Sequence, residues 1–325
     1  MLSIAVIGAG RIGQIHARNI AAAAGARLAG VADVDAAAAA RLARQCGAGA
    51  LSLDAAFAAD AVLIGSPTPT HADYIERAAA AGRAIFCEKP IDLSADRVRT
   101  CLDAVRRAGV VLMVGFNRRF DPHFSALKRR LSAGEIGSLE MLTITSRDPA
   151  PPPPAYVATS GGLFRDMMIH DLDMARFLMG EEPTELHAAA SCLVDQSIAA
   201  AGDVDTAVVT LRTASGKLCQ ISNSRRASYG YDQRIEVHGA KGLLRAGNVT
   251  ATTVELATEA GFATDPTLPF FLERYAAAYR AELDAFIAAV ASGRSPRPDG
   301  DDGLKALLLA DAATRSATTG QAVRL

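Results

Sequence analysis

The sequence predicts an α/β protein of two domains: an N-terminal doubly wound parallel sheet, then an α+β domain with a large, mainly antiparallel open sheet. Three observations carry this. The chain has 325 residues, too many for one ordinary domain and enough for two with a core each. Up to residue 115, short apolar runs alternate with longer alanine-rich segments of helical period, the pattern of parallel strands covered on both faces. Over 186–256 apolar and polar residues alternate instead, with turn signals at Ser215-Gly216 and Gly239-Ala240-Lys241-Gly242, as antiparallel pairs require.

Taken in order, the short apolar runs place strands at 2–7, 27–32, 61–65, 83–87 and 110–115, most of them punctuated by Gly or Pro. The segments between them place crossover helices at 11–23, 35–46, 71–81 and 95–108. The texture changes near residue 118, so the expected domains are 1–118 and 119–325. The second opens with a helix at 122–133 and a strand at 139–146. A stiff, extended loop follows at 148–154, where four consecutive prolines fix the backbone. A helix at 162–179 ends at Gly180. After the antiparallel region, helices are expected at 269–291 and 301–318.

Composition narrows the function. Half of the residues are hydrophobic and 21% charged, which fits a chain folded throughout. The 34 basic and 35 acidic residues form no long run of either sign. No nucleic acid or anionic membrane is expected as partner, and a small neutral ligand suits the balance. Cys46, Cys87, Cys101, Cys192 and Cys219 are scattered and never spaced as Cys-x-x-Cys, as for reduced thiols of a cytoplasmic protein; no metal is expected. Met1-Leu2-Ser3 enters an apolar strand directly, so no export signal is expected, and no apolar stretch is long enough to span a membrane.

Gly8-Ala9-Gly10-Arg11-Ile12-Gly13 follows the first strand and opens the first helix. The first glycine allows the tight turn, the second lets a pyrophosphate approach the backbone, and the third lets helix and strand pack closely. With a strand before it and an acid about 20 residues on, this is a Rossmann dinucleotide fingerprint rather than an ordinary strand-to-helix turn. Asp33 is that acid. A carboxylate there accepts from ribose hydroxyls and repels a 2′-phosphate, which favours NAD, although a guanidinium at Arg11 in the loop has the chemistry to reach that phosphate. Asp35 reads as the cap of the next helix.

Ser66-Pro67-Thr68-Pro69-Thr70-His71 and Glu88-Lys89-Pro90 follow the third and fourth strands, and ligands of open parallel sheets sit outside such ends. Ser66, Pro67, Thr68, His71, Glu88 and Lys89 are therefore candidate cofactor neighbours. A lysine at a strand end is ordinarily just solvated. In the second domain, helical spacing puts Asp166, His170 and Asp173 on one face, a polar stripe amid Leu163, Phe164, Met167 and Leu172. One explanation is a histidine satisfied by neighbouring acids inside a helix pair. The other is a catalytic site. Removing hydride from a carbinol carbon requires a base at the hydroxyl, which His170 supplies near neutral pH. Asp166 then holds the imidazole tautomer or binds an adjacent hydroxyl, and Lys89 steadies alkoxide charge. This reading requires Lys89 and His170 to converge beside the coenzyme.

The glycine loop, Glu88-Lys89-Pro90, Gly115-Phe116-Asn117-Arg118-Arg119-Phe120-Asp121 and the Asp166 to His170 spacing resemble the Gfo/Idh/MocA oxidoreductase family over nearly the whole chain. Ser146-Arg147-Asp148-Pro149, the Asp166 to Asp171 run and Ser228-Tyr229-Gly230-Tyr231-Asp232 are similar to its inositol 2-dehydrogenase members. The resemblance implies NAD-dependent oxidation of myo-inositol to scyllo-inosose, with Lys89, Asp166 and His170 catalytic. It also implies that Arg118, Asp148, Asp173, Tyr231 and Tyr279 line a sugar pocket, and that the chain forms a homotetramer through the second-domain sheet. Read from residues alone, Arg118 is equally a surface charge, Tyr231 a strand-pair residue and Tyr279 a helix-core residue. Another sugar or polyol dehydrogenase, an NAD-dependent glycosidase and a non-catalytic nucleotide sensor are the competing functions.

Overall fold

The computed structural model describes residues 1–325 and divides into two compact units. The first is Met1–Phe120 with Ala278–Leu307, and the second Asp121–Ala277 with Leu308–Leu325. The expected division assigns 278–307 to the second domain, whereas in the structure it belongs to the first. The physical reason is packing: Leu283 and Phe286 share a core with Ile4, Val6, Phe86 and Met113.

In the first unit, β1 (Leu2–Ile7), β2 (Ala26–Ala32), β3 (Ala61–Ile64), β4 (Ala84–Glu88) and β5 (Leu112–Gly115) form one sheet in the order β2-β1-β3-β4-β5. Every pairing is parallel. Strands β1, β3, β4 and β5 are fully or nearly fully buried, as short apolar runs must be when helices cover both faces, whereas β2 leaves Arg27 exposed and Leu28 and Ala29 half-buried. Those helices are α1 (Arg11–Ala22), α2 (Ala36–Gln45), a single turn α3 (Leu53–Ala56), α4 (His71–Ala80) and α5 (Ala95–Ala108). Asp35 caps α2 by accepting from Ala37 and Ala38 N–H, and Ser94 caps α5.

The second unit begins with α6 (Pro122–Ser132), capped by Asp121. Next come β6 (Leu139–Arg147), α7 (Pro154–Ser160), α8 (Ile169–Met179), β7 (Pro183–Ser191), α9 (Gln196–Ala200), β8 (Thr206–Thr213), β9 (Leu218–Ser224), β10 (Asp232–Gly239) and β11 (Gly242–Ala246). A separate hairpin of β12 (Glu255–Thr258) and β13 (Gly261–Thr264) is fully exposed. The chain ends with α10 (Phe271–Arg274), α11 (Ala276–Ser292), α12 (Gly300–Thr319) and β14 (Val323–Arg324). The large sheet runs β11-β10-β6-β9-β8-β7-β14, antiparallel throughout except for the β6–β9 pair. Burial alternates along β8 and β10, and Met141, Val208, Leu218 and Leu243 remain exposed on the sheet.

Three local expectations change. The proline run does not stay extended to its end, because Pro154 occupies the first position of α7, where a missing N–H is harmless. The helix expected at 162–179 is not uniform: Phe164–Met168 forms a π turn ahead of α8. The helix expected at 269–291 is broken between α10 and α11 at Tyr275.

Candidate active site

The glycine loop in the first unit joins β1 to α1, and its three glycines differ in what they touch. A Cβ on Gly8, whose φ is 112°, would lie 2.6 Å from the Gly65 carbonyl group. One on Gly13 would lie 1.9 Å from the Gly8 oxygen. At Gly10 a Cβ would meet nothing within 4 Å, and φ there is −68°, open to any residue. The chain itself therefore does not demand a glycine at position 10; a ligand's approach does. Helix α1 starts there with no capping side chain and no acid in its first turn, so its positive end is available to a phosphate. These features fit a dinucleotide pyrophosphate.

Asp33, at the end of β2, accepts from Ala9 N–H at 2.6 Å through Oδ2 and from Asp35 N–H at 2.8 Å through Oδ1. The acid is thereby fastened beside the glycine loop. Each oxygen keeps a second lone pair for a ribose hydroxyl.

His71, expected at the cofactor, is buried, with Nδ1 2.8 Å from the Pro90 carbonyl oxygen and Nε2 2.7 Å from that of Ser66. Burial pushes its pKa below the usual value, against the pull of those two acceptors. Its ring ties the loop after β3 to the loop after β4, with Pro67 exposed and Thr68 opening a 3-10 turn beside it. Glu88 also turns inward: His16 Nε2 lies 2.7 Å from its Oε1, and Glu282 completes a cluster whose ligating atoms all lie within 4.8 Å. Lys89, half-buried, follows and is joined to Pro90 by a cis peptide. Arg118 is buried in the 3-10 turn Asn117–Phe120, not solvated.

In the second unit Asp166 lies in the π turn. Tyr156 donates to its Oδ1 at 2.9 Å, and Arg225 Nη2 stands 3.6 Å from Oδ2. His170 lies in the first turn of α8, half-buried. Asp173 is buried, with its Oδ1 3.6 Å from Arg176 Nη1. Asp171 is buried as well, accepting from Ser146 at 2.6 Å and Asn223 at 2.9 Å. The Asp148 N–H donates to the Ser224 carbonyl, which holds the end of β6 against β9. Tyr231 packs edge-on against Phe270 and Tyr275. Tyr279 belongs to the first unit, where its ring meets His16 at 5.6 Å. A cavity of about 370 Å³ between α6 and β11, lined by His123, Arg130, Leu244 and Arg245, includes none of these residues.

Sequence reasoning missed Tyr156, Asp203, Arg225, His16 and Glu282. His16 carried a signal, as a histidine on the apolar face of α1. Nothing in Ser224-Arg225-Arg226 marks the first arginine as buried and the second as exposed.

Residues 2–116 match the family model described as "Oxidoreductase family, NAD-binding Rossmann fold", and 128–325 that described as "Oxidoreductase family, C-terminal alpha/beta domain". Inositol 2-dehydrogenase of Rhizobium meliloti (strain 1021) is 56% identical over 314 residues, covering 96% of this chain and 95% of that protein. The crystal structure of a myo-inositol dehydrogenase from Corynebacterium glutamicum ATCC 13032 superposes with a TM-score of 0.96 at 48% identity, covering 100% of this chain and 99% of the other. That of scyllo-inositol dehydrogenase from Lactobacillus casei, with bound NAD(H) and scyllo-inositol, gives 0.92 at 29% identity over 100% and 99%. With both halves matched and the glycine loop shaped for the cofactor, the chain belongs to the Gfo/Idh/MocA family of NAD-binding oxidoreductases.

Proposed function

We propose that this protein oxidises myo-inositol to scyllo-inosose, transferring hydride to NAD. The observation that carries the reading is the 56% identity to an inositol 2-dehydrogenase along 96% of the chain. The glycine loop and Asp33 would hold NAD, which would supply the hydride acceptor. His170 takes the hydroxyl proton as general base, so the carbinol carbon loses hydride as its oxygen becomes a carbonyl. Lys89 steadies the charge developing on that oxygen. Asp166 accepts from a neighbouring hydroxyl and orients the ring. Arg118, Asp148, Asp173, Tyr231 and Tyr279 are assigned to the rest of the sugar pocket.

The protein is further proposed to act in the cytoplasm as a homotetramer, with the exposed face carrying Met141, Val208, Leu218 and Leu243 as the subunit contact. Mixing pure protein with NAD and myo-inositol should yield NADH and one equivalent of ketone. Absence of NADH with every inositol isomer and aldose would refute the assignment. A second reading, scyllo-inositol as the preferred substrate, draws on the scyllo-inositol complex of the Lactobacillus casei enzyme. The same assay, run with both isomers, separates the two. Hydrolysis of a glycoside without net NADH would favour the glycosidase alternative.

A further inference from the structure

Arg225 is the bulkiest fully buried side chain of the protein, 1% exposed, whereas Arg226 beside it is exposed. A buried guanidinium is costly unless opposite charge surrounds it. Here two carboxylates do so: Nη2 lies 3.6 Å from Asp166 Oδ2 and 3.7 Å from Asp203 Oδ2. Neither contact closes to a hydrogen bond, and neither Nε nor Nη2 has another acceptor. The arginine thus acts on both acids by charge.

Each acid has a task in the segment that carries the proposed catalytic group. Both Asp203 oxygens accept from Leu163 N–H at 3.0 Å, immediately before the π turn. The contact is close enough that a Cβ on Gly162, at φ 82°, would lie 2.6 Å from Asp203 Oδ1. Asp166 lies inside the π turn, and Tyr156 holds its other oxygen. π turns are short irregularities that concentrate at functional sites and need outside support. Arg225 stands between the anchor of this turn and the acid at its centre. Its own backbone is held in turn, since Arg225 N–H donates to the Asp205 carbonyl at 2.8 Å.

We propose that Arg225 is the positioning residue for Asp166, holding that carboxylate in the orientation that receives a polyol hydroxyl. The proposal rests on the reading of Asp166 as a substrate-binding acid given above. Arg225 itself touches no reacting atom. Tyr156 and Arg225 act on the two oxygens from different elements, so removing the arginine removes the charge that faces Oδ2.

The test is a double-mutant cycle on the full-length enzyme, with NAD and myo-inositol as probes. Arg225→Gln should lower kcat about tenfold or more while NAD affinity stays within about twofold. In an Asp166→Asn background the same change should lower kcat by less than about twofold further, because the group it acts through is already altered. Arg225→Lys, which keeps the cation, should recover part of the loss. An arginine that only stabilises the fold would cost the same factor in both backgrounds, and that result would overturn the proposal. If Arg225→Gln does not fold, Arg225→Lys measured in both backgrounds is read in the same way. Unchanged turnover in Asp166→Asn alone would instead sink the reading of Asp166, a distinct outcome.

Discussion

His16 and Glu88 form a buried pair, Nε2 to Oε1 at 2.7 Å, on the residue that immediately precedes Lys89. Rings of Phe86 and Tyr279 flank the histidine, and the Glu282 carboxyl stands beside the pair with neither oxygen hydrogen-bonded. Burial first, and then the Glu88 charge, push Glu282 well above its ordinary pKa of 4.5. The native state therefore keeps a proton that the unfolded chain releases. Stability from this group is complete below about pH 4.5 and is lost as pH rises toward the folded pKa.

Glu282→Gln, which is neutral at every pH, should accordingly melt at or above the wild-type temperature at about pH 8. The gap should narrow as pH falls toward about 5. Thermal melts of both proteins across that range check the slope, and a constant difference would contradict it.

His170→Ala and Lys89→Met test the proposed chemistry. Each should cut kcat by about 10² to 10⁴ while NAD titrations give nearly wild-type affinity, since neither side chain is needed to hold the pyrophosphate. Stopped-flow hydride transfer with myo-inositol is the measurement. Turnover within a factor of about three of wild type would remove the substituted residue from the mechanism.

The glycine loop separates folding from binding. A Cβ at Gly13 would meet the Gly8 oxygen at 1.9 Å, so Gly13→Ala should destabilise the protein by about 2 kcal/mol through forced backbone movement. Gly10 has open space and an ordinary φ, so Gly10→Val should melt as wild type does. Its side chain would occupy the pyrophosphate's place and weaken NAD about tenfold or more, about 1.4 kcal/mol. Paired melts and NAD titrations of the two variants distinguish the roles.

Asp205 is one source of acid-dependent stability in the second unit. It is buried and accepts from Leu193, Val194 and Asp195 N–H at 2.8, 2.8 and 3.0 Å. Burial raises its pKa, but these amide donors outweigh it and bring the carboxyl down to about 2. A depressed folded pKa contributes stability that is present above the ordinary value of 3.8 and is lost as pH falls through about 2. Asp205→Asn should cost about 2 kcal/mol at neutral pH, with the difference from wild type closing in acid; urea unfolding at several pH values measures it.

The elements of the first unit were legible because their signal is local. An apolar run such as Ala61-Val62-Leu63-Ile64 has one stable use when helices flank it, and the observed strand is Ala61–Ile64. Asp35 could be read as a cap because a cap's partners lie two and three residues away. Gly8 to Gly13 could be read for the same reason.

What escaped depended on distant partners. Glu88 reads as a strand-end acid facing a ligand, yet His16, 72 positions away, draws it inward. His71 is turned to the Pro90 carbonyl, 19 residues on. Leu283 and Phe286 show a helical period but not which core they enter. Asp203 and Arg225 come from a loop and a strand end, and only folding sets them against the turn that holds Asp166. The sequence by itself determined the parallel strands with their crossover helices, the dinucleotide loop and the family. The tertiary structure decided which charged groups are buried against one another, because charge pairing is selected by burial and distance, and neither is encoded in any local spacing.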